Sequence, residues 1–298
     1  MELRGNDLLF ELVIITTQGY DMLKIHFLNV GKGNCTVIKF PSGHLTVVDI
    51  DNSRNEDENI LQCPIQFLEE NYPNKNIFRF ILTHPDMDHM SGLDELFIKR
   101  NIVNFWDTDH DKNVDINKMH LGGYNKQDWI RYQNIREQAE KPKVLKIRQH
   151  HESLNYWLDD NLKVLGPSNA LIKKAKETGE HNHCSYVLKI EHEGIKILLG
   201  GDATKESWQD ILAHHGKNEL KADVFLAPHH GSPANIEKDV FAHINPQYVI
   251  VSDHKGHSYD YQYYNSLAST QVYSTKHFGN ITLEIGATSK KITPERNG

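Results

Sequence analysis

Four side chains able to bind a metal ion fall within six residues of this sequence, in the segment Thr83-His84-Pro85-Asp86-Met87-Asp88-His89. Carboxylates held this close repel one another, and without a cation one of them would be pushed toward its neutral form. A divalent cation reverses the sign of that interaction, because its charge dominates the local field. The segment leaves a strongly apolar run, Phe78 to Thr83 (FRFILT), and a helical stretch follows from Gly92 to Lys99. It reads as a strand-to-helix loop that presents ligands. Taken alone, the same residues also fit a solvated acidic turn.

Two later segments narrow that choice. The run Ile195 to Leu199 ends in Gly200-Gly201-Asp202, where small residues permit close backbone approach. The run Val224 to Ala227 ends in Pro228-His229-His230-Gly231-Ser232 and delivers two imidazoles in the same way. Singly, Asp202 could be a helix-terminal acid and His229 a core histidine. Three strand ends that each present ligand-type residues are the pattern of one site on a sheet edge. Nineteen histidines are consistent with this, imidazole being the commonest metal ligand. No G-x-S-x-G elbow, Walker loop or dinucleotide fingerprint offers a competing chemistry.

The elements that must position these residues are legible as alternating or apolar runs. Leu23 to Val30 is a strand ending at the Gly31-Lys32-Gly33 turn. Cys35 to Phe40 and Leu45 to Ile50 form a hairpin around Pro41-Ser42-Gly43. A loop from Asp51 to Asn59 precedes a helix over Pro64 to Glu70. Further strands are expected at Leu162 to Leu165, Ser185 to Glu191, Tyr248 to Ser252 and Ile281 to Ile285, the last of them. His192-Glu193-Gly194 makes a hairpin turn, and Thr204 caps a helix running to His215. Residues 101–165 read as an elaborated insertion between core elements. It holds an acidic turn at Asp107 to Asp111, a Gly122-Gly123 break, a helical stretch from Gln127 to Glu140 and a strand candidate, Val144 to Arg148. Helices following the key strands suggest two packed sheets with helices outside.

Composition bounds the rest. A 298-residue chain can bury a substantial core. The formal net charge of -7 is not that of a general nucleic-acid binder, so such a substrate needs a local basic patch. Lys141, Lys143, Lys146, Arg148, Lys173, Lys174 and Lys176 could supply one or could simply form a solvated face. No apolar run is long enough to span a bilayer, and Leu8 to Thr17 lacks the marks of a signal peptide. Three scattered cysteines, Cys35, Cys63 and Cys184, argue against a disulfide framework, so a reducing cytoplasm and no membrane association are expected.

The order HxDxDH, GGD, PHHGS resembles the metallo-β-lactamase superfamily, and within it the branch containing the hydrolase domain of the DNA-uptake protein ComEC. Phe27-Leu28-Asn29-Val30-Gly31-Lys32-Gly33-Asn34-Cys35 resembles that branch's opening strand and turn, and Val47-Val48-Asp49 its following L-I-D. Asn182-x-x-Ser185 and His257 in Lys255-Gly256-His257-Ser258 also fall where the family has similar residues. The likeness spans roughly Leu23 to Ile285 and is weakest over 101–165. It implies an αβ/βα sandwich, two mixed β-sheets packed face to face with helices outside and metals at the top of the sheets. Residues 22–298 would form this one hydrolase domain, with 1–21 an N-terminal extension or start-site artefact.

The resemblance further implies that His84 and Asp86 hold a first ion, Asp88 and His89 a second, and that Asp202 bridges them. One of His229 and His230 would complete the second site, His229 being nearer the strand end. Two departures stand out. Asp86 replaces the superfamily's commoner histidine, and the third-motif histidine has no clear counterpart, Asn182 or His183 being nearest while Cys184 could pack inward. An oxygen-rich first site favours manganese or magnesium over a histidine-rich zinc site. One or two divalent ions, manganese or zinc first, are the implied cofactors. Asp88 would orient the attacking water, and His257 would donate to substrate or leaving group if its loop folds over the site. The implied activity is phosphodiester hydrolysis, as a nuclease acting on DNA or RNA or as a nucleotide phosphodiesterase. A second reading is an interaction subunit with a degraded first site that binds a protein partner or a second copy of itself. A third, lactamase or thioesterase, is disfavoured by Asp86 and by the missing secretory signal.

Overall fold

Alternation builds the first strand: Leu23, Ile25 and Phe27 are buried, while Lys24 and His26 between them are partly exposed. The computed structural model describes residues 22–53, 61–118, 123–138, 140–149, 158–254, 262–266 and 270–297. The segment 1–21, Gly122 and His257 lie outside the described residues.

From this strand, β1 (Leu23–Phe27), the chain adds β2 (Thr36–Lys39), β3 (Leu45–Val48), the short β4 (Ile50–Asp51) and helix α1 (Pro64–Asn71). There follow β5 (Ile77–Ile81), the short β6 (Met90–Ser91), α2 (Leu93–Lys99), β7 (Ile102–Trp106), α3 (Lys126–Gln138) and β8 (Lys143–Leu145). The second half contains β9 (Leu162–Gly166), α4 (Asn169–Thr178), β10 (Val187–His192), β11 (Ile195–Leu199), α5 (Lys205–Leu220) and β12 (Val224–Leu226). It closes with α6 (Lys238–Ile244), β13 (Tyr248–Val251), β14 (Gln271–Ser274), β15 (Ile281–Gly286) and β16 (Ser289–Pro294).

One sheet has the order β16-β15-β1-β2-β3-β5-β7-β8 and the other β14-β13-β12-β11-β10-β9. Each is antiparallel on one side and parallel on the other: β3, β5, β7 and β8 run together in the first, and β11 to β14 in the second. Period-two alternation splits every inner strand between two cores. In β12, Val224 and Leu226 join Ile25, Ile38, Ile81 and Leu199 between the sheets. Phe225, on the opposite face, packs with Trp208 and Ile211 of α5 and Phe241 of α6. The outer face of the first sheet, with Val37, Val47 and Phe80, is covered by Leu68 of α1, Leu93 of α2 and Trp129 of α3. The layers therefore run helix, sheet, sheet, helix, the αβ/βα sandwich that the motifs imply.

Local signals account for much of this. Glu193 and Gly194, both at positive φ, turn β10 into β11 with His192 opposite Ile195. Thr204 caps α5 reciprocally with Ser207. Strands β6, β7, β14 and β16 went unread. β14 has only four residues on a sheet edge, and β16 is polar, with Lys290, Lys291 and Pro294 blunting the opposite edge of the other sheet. Within 101–165, β7 and β8 continue the first sheet, so part of that segment belongs to the core. All three cysteines are buried and free. Among the described residues no helix is long and apolar enough to cross a membrane.

Phe225 is fully buried and meets Trp208 and Phe241 edge-on, with ring centroids 5.7 and 5.9 Å away. Phe225→Ala should cost about 3–5 kcal/mol of stability, the usual range for an emptied aromatic site, as read by denaturant unfolding.

Candidate metal centre

Because the central strands of both sheets run parallel, their carboxyl ends share one edge of the sandwich, where open α/β sheets place their ligands. At the end of β3 stands Asp49, in the left-handed conformation at φ 56. Its Oδ1 accepts from the Thr83 backbone N–H at 2.7 Å, and its Oδ2 accepts from the Thr83 hydroxyl at 2.7 Å and from His89 Nδ1 at 2.8 Å. Having donated its only proton to Asp49, the Thr83 hydroxyl accepts from His84 Nδ1, 3.1 Å away. In their neutral forms both imidazoles thus keep the proton on Nδ1 and turn a bare Nε2 inward. Fixing the tautomer in this way is how a ligating histidine is prepared for a metal.

The inward atoms converge. Among the described residues, ligand atoms of His84, His89 and Asp202 lie within 4.8 Å of one another, as do those of Asp88, His89 and His230. Asp202 sits at the centre. Its Oδ1 is 3.4 Å from His89 Nε2, and its Oδ2 is 3.7, 3.8 and 3.9 Å from His229 Nδ1, His84 Nε2 and His230 Nε2. His230 Nε2 also lies 3.4 Å from Asp88 Oδ2. The buried His84 Nε2, His89 Nε2 and Asp202 Oδ1 have no hydrogen-bond partner. Orphaned acceptor and imidazole atoms aimed into one space are what a cation would satisfy, so the residues fit a metal.

The electrostatics match. Burial would raise the Asp202 pKa, but the imidazoles of His89, His230 and His84 hold it well below the usual carboxylate range. Burial likewise opposes ionisation of Asp88, yet His89 and His230 bring it down to about 2. His89 moves the other way: burial would lower it, and Asp202, Asp49 and Asp88 carry it well above an ordinary imidazole. His230 is raised too, burial being outweighed by Asp202 and Asp88.

Not every residue singled out in the sequence meets this cluster. Asp86 belongs to neither converging group: its Oδ2 is 3.6 Å from His84 Nε2, while its Oδ1 is taken by the ammonium of Lys112. His229, which strand-end proximity favoured, also stands outside both groups and near the amide nitrogens of Asn182 (3.3 Å) and Asn235 (3.2 Å). His230 falls in one of the groups instead, two successive left-handed residues, His229 at φ 49 and His230 at φ 55, setting its Nε2 3.4 Å from Asp88 Oδ2. His183 faces away, with Nδ1 2.9 Å from the Thr204 hydroxyl at the start of α5. Cys184 packs inward.

Sequence reasoning missed the supporting residues. Asp49 was visible as a motif residue but not as the partner of His89. Ser185 Oγ accepts from the Asp202 backbone N–H at 2.8 Å. Gly201, at φ +50, has no room for a Cβ, which would stand 2.4 Å from that same oxygen. The Gly31 to Gly33 turn braces the first motif, since a Cβ on Gly33 would fall 1.8 Å from the Asp88 carbonyl oxygen. Lys112, from the segment least like the family, carried no signal at all.

No protein-family model matches the chain. ComE operon protein 3 of Bacillus subtilis (strain 168) is 26% identical over 206 residues, covering 68% of this chain. The chain spans only 23% of that relative's length. The similarity agrees with the ComEC-like motifs. Among solved structures, the metallo-β-lactamase fold protein YhfI from Bacillus subtilis has a TM-score of 0.49 at 9% identity, over 88% of this chain and 100% of that one. Igni18, a metallo hydrolase from the archaeon Ignicoccus hospitalis KIN4/I, has a TM-score of 0.48 at 12% identity, over the same shares.

Two outcomes follow from the geometry. Asp49→Asn removes the acceptor that orients His89, and metal affinity should fall roughly 10–100-fold in a protein whose circular dichroism is unchanged. Metal and proton compete for the same Nε2 lone pairs, and the pKa values of His89 and His230 are raised. Metal binding should therefore release protons, and affinity should weaken as pH falls through those raised values. Calorimetric titration in buffers of different ionisation enthalpy measures the release; affinity independent of pH would contradict it.

Proposed function

We propose that this chain, with its metallo-β-lactamase fold, is a metal-dependent hydrolase that cleaves phosphodiesters. The observation that carries the reading is the convergence of His84, His89, His230, Asp88 and Asp202 on one space at the shared strand edge. A divalent ion held there supplies Lewis-acid charge to an ester oxygen and makes water more acidic. The protein's own part is positioning. Asp88, partly open to solvent and ionised, can accept a hydrogen bond from the attacking water and aim it. Asp49 and Thr83 lock the imidazoles, so little reorganisation accompanies reaction.

Two features favour phosphodiesters. The similarity to ComE operon protein 3 agrees with motifs that imply this chemistry. Lys146, Arg148 and Lys176 gather around Asp109, on the loop that also bears Lys112. That is a local excess of positive charge on an acidic chain, and it fits a nucleic acid or nucleotide. The second reading, an interaction subunit that no longer turns over, draws on Lys112 holding Asp86 away from the cluster.

Manganese-supplemented protein should hydrolyse bis(p-nitrophenyl) phosphate or single-stranded DNA, lose activity with chelator and leave a chromogenic β-lactam nearly untouched. Asp202→Ala should lower turnover by about 100-fold or more, the scale seen when a preorganised electrostatic group is removed. If manganese, magnesium and zinc all fail to support cleavage, the interaction reading replaces this one. Efficient lactam cleavage would replace the substrate class.

A further inference from the structure

We infer that Lys112 serves as a built-in counter-cation: its ammonium stands in for the charge of one ion of a metal pair, so the chain holds a single tight metal at Asp88, His89, His230 and Asp202. The inference rests on the metal-site reading above but not on the identity of the substrate.

The first observation is where the ammonium lies. Lys112 Nζ donates to Asp86 Oδ1 and, at 2.9 Å, to the carbonyl of Pro85. It thus clasps both the side chain and the backbone of the first motif. Asp86 is the one first-motif candidate that joins neither converging group.

The second observation is that this lysine is held in place. Its backbone N–H donates to His110 Nδ1 at 2.9 Å, and His110 Nε2 lies 2.5 Å from the Tyr132 hydroxyl. Tyr132 donates to Asp107 Oδ1 at 2.6 Å. Arg136 of the same helix, α3, pairs through Nε with Asp107 Oδ2 at 2.8 Å and donates to the His110 carbonyl at 2.9 Å. Asp107, His110 and Tyr132 are all buried. A surface lysine that happened to meet a carboxylate would not need such a footing, and an exposed pair would be worth little.

The third observation is what the first site lacks. His183 faces Thr204, and Asn182 lies against His229. Neither brings a ligand to the Asp86 side. Asp86, Asp88 and Asp202 face the space, with Asp49 behind His89. A second divalent ion beside Lys112 would have to displace the ammonium from Asp86. Arginine in this position would keep the charge, and glutamine would keep the length but lose it.

The test is calorimetric and elemental titration of the chelator-stripped full chain with manganese and with zinc. Wild type should bind one ion tightly, and Lys112→Arg should do the same. In Lys112→Gln the stoichiometry should rise toward two, with the second ion tightened at least about tenfold, the scale on which neighbouring groups shift a metal's affinity. Asp86→Asn, which removes the carboxylate Lys112 holds, should retain the one tight ion and remains informative if Lys112→Gln does not fold. Two ions of similar affinity in wild type, unchanged in Lys112→Gln, would overturn the proposal and leave the metallo-hydrolase reading standing. Loss of the tight ion in Asp86→Asn would overturn it as well, by making Asp86 a ligand of that ion. A wild type that binds neither metal would overturn both readings together.

Discussion

One buried carboxylate facing four imidazoles is the constraint around which this structure is arranged. Asp202 has contacts of 3.4 to 3.9 Å to His84, His89, His229 and His230, and these come from two strand ends, one in each sheet. Burying an ionised carboxylate is costly unless positive charge or hydrogen bonds surround it. The two sheets must therefore meet with their carboxyl ends level, and the large apolar layer between them fixes that alignment. Core packing and site geometry are the same requirement seen from two sides. A slip of one residue in β11 or β12 would turn Leu199 or Leu226 out of the core and swing the ligand-bearing turn away with it.

The backbone around the site shows the demand this makes. Asp49, His229 and His230 all sit at positive φ, where a residue with a side chain is strained by about 1–3 kcal/mol. Such conformations persist only where the surroundings enforce them. Here the enforcing contacts are specific. The carboxylate of Asp49 is satisfied by Thr83 and His89, and the left-handed pair at His229-His230 places one imidazole beside Asp88. Strain at these positions is the local cost of presenting polar groups inward from strand ends that would otherwise continue apolar.

Much of this was legible in the residues. Strands whose two faces both meet apolar layers announce themselves as short apolar runs, so β5, β11, β12 and β13 were visible, as was each ligand-bearing turn after them. The edge strands β14 and β16 were not, because they bury little and their polar composition looks like loop, and the interior β7, with Val103 exposed and Asn104 in mid-strand, was missed as well. Of the residues singled out by type and spacing, His84, His89, Asp88 and Asp202 fall in the converging groups. Type and spacing could not choose between His229 and His230, since that depends on backbone dihedrals rather than on distance along the chain. Nor could they find Lys112, because one lysine among many has no distinguishing neighbours until the fold brings it to Asp86, 26 residues back.

The two departures from the family pattern then have one physical reading. A histidine at position 86 would offer a neutral lone pair, suited to an ion but a poor partner for an ammonium. An aspartate offers a full negative charge, which suits either. Once Lys112 is anchored by His110, Tyr132 and Asp107, the carboxylate at 86 is the choice that leaves neither group without an opposite charge. The placing of His183 against Thr204 and of Asn182 against His229 fits the same logic, since an ammonium needs acceptors and not a further lone pair directed at an ion. Seen this way, the segment least like the family is coupled to the motif most like it. Lys112, between β7 and α3, brings a positive charge to the edge where the ligand-type residues meet.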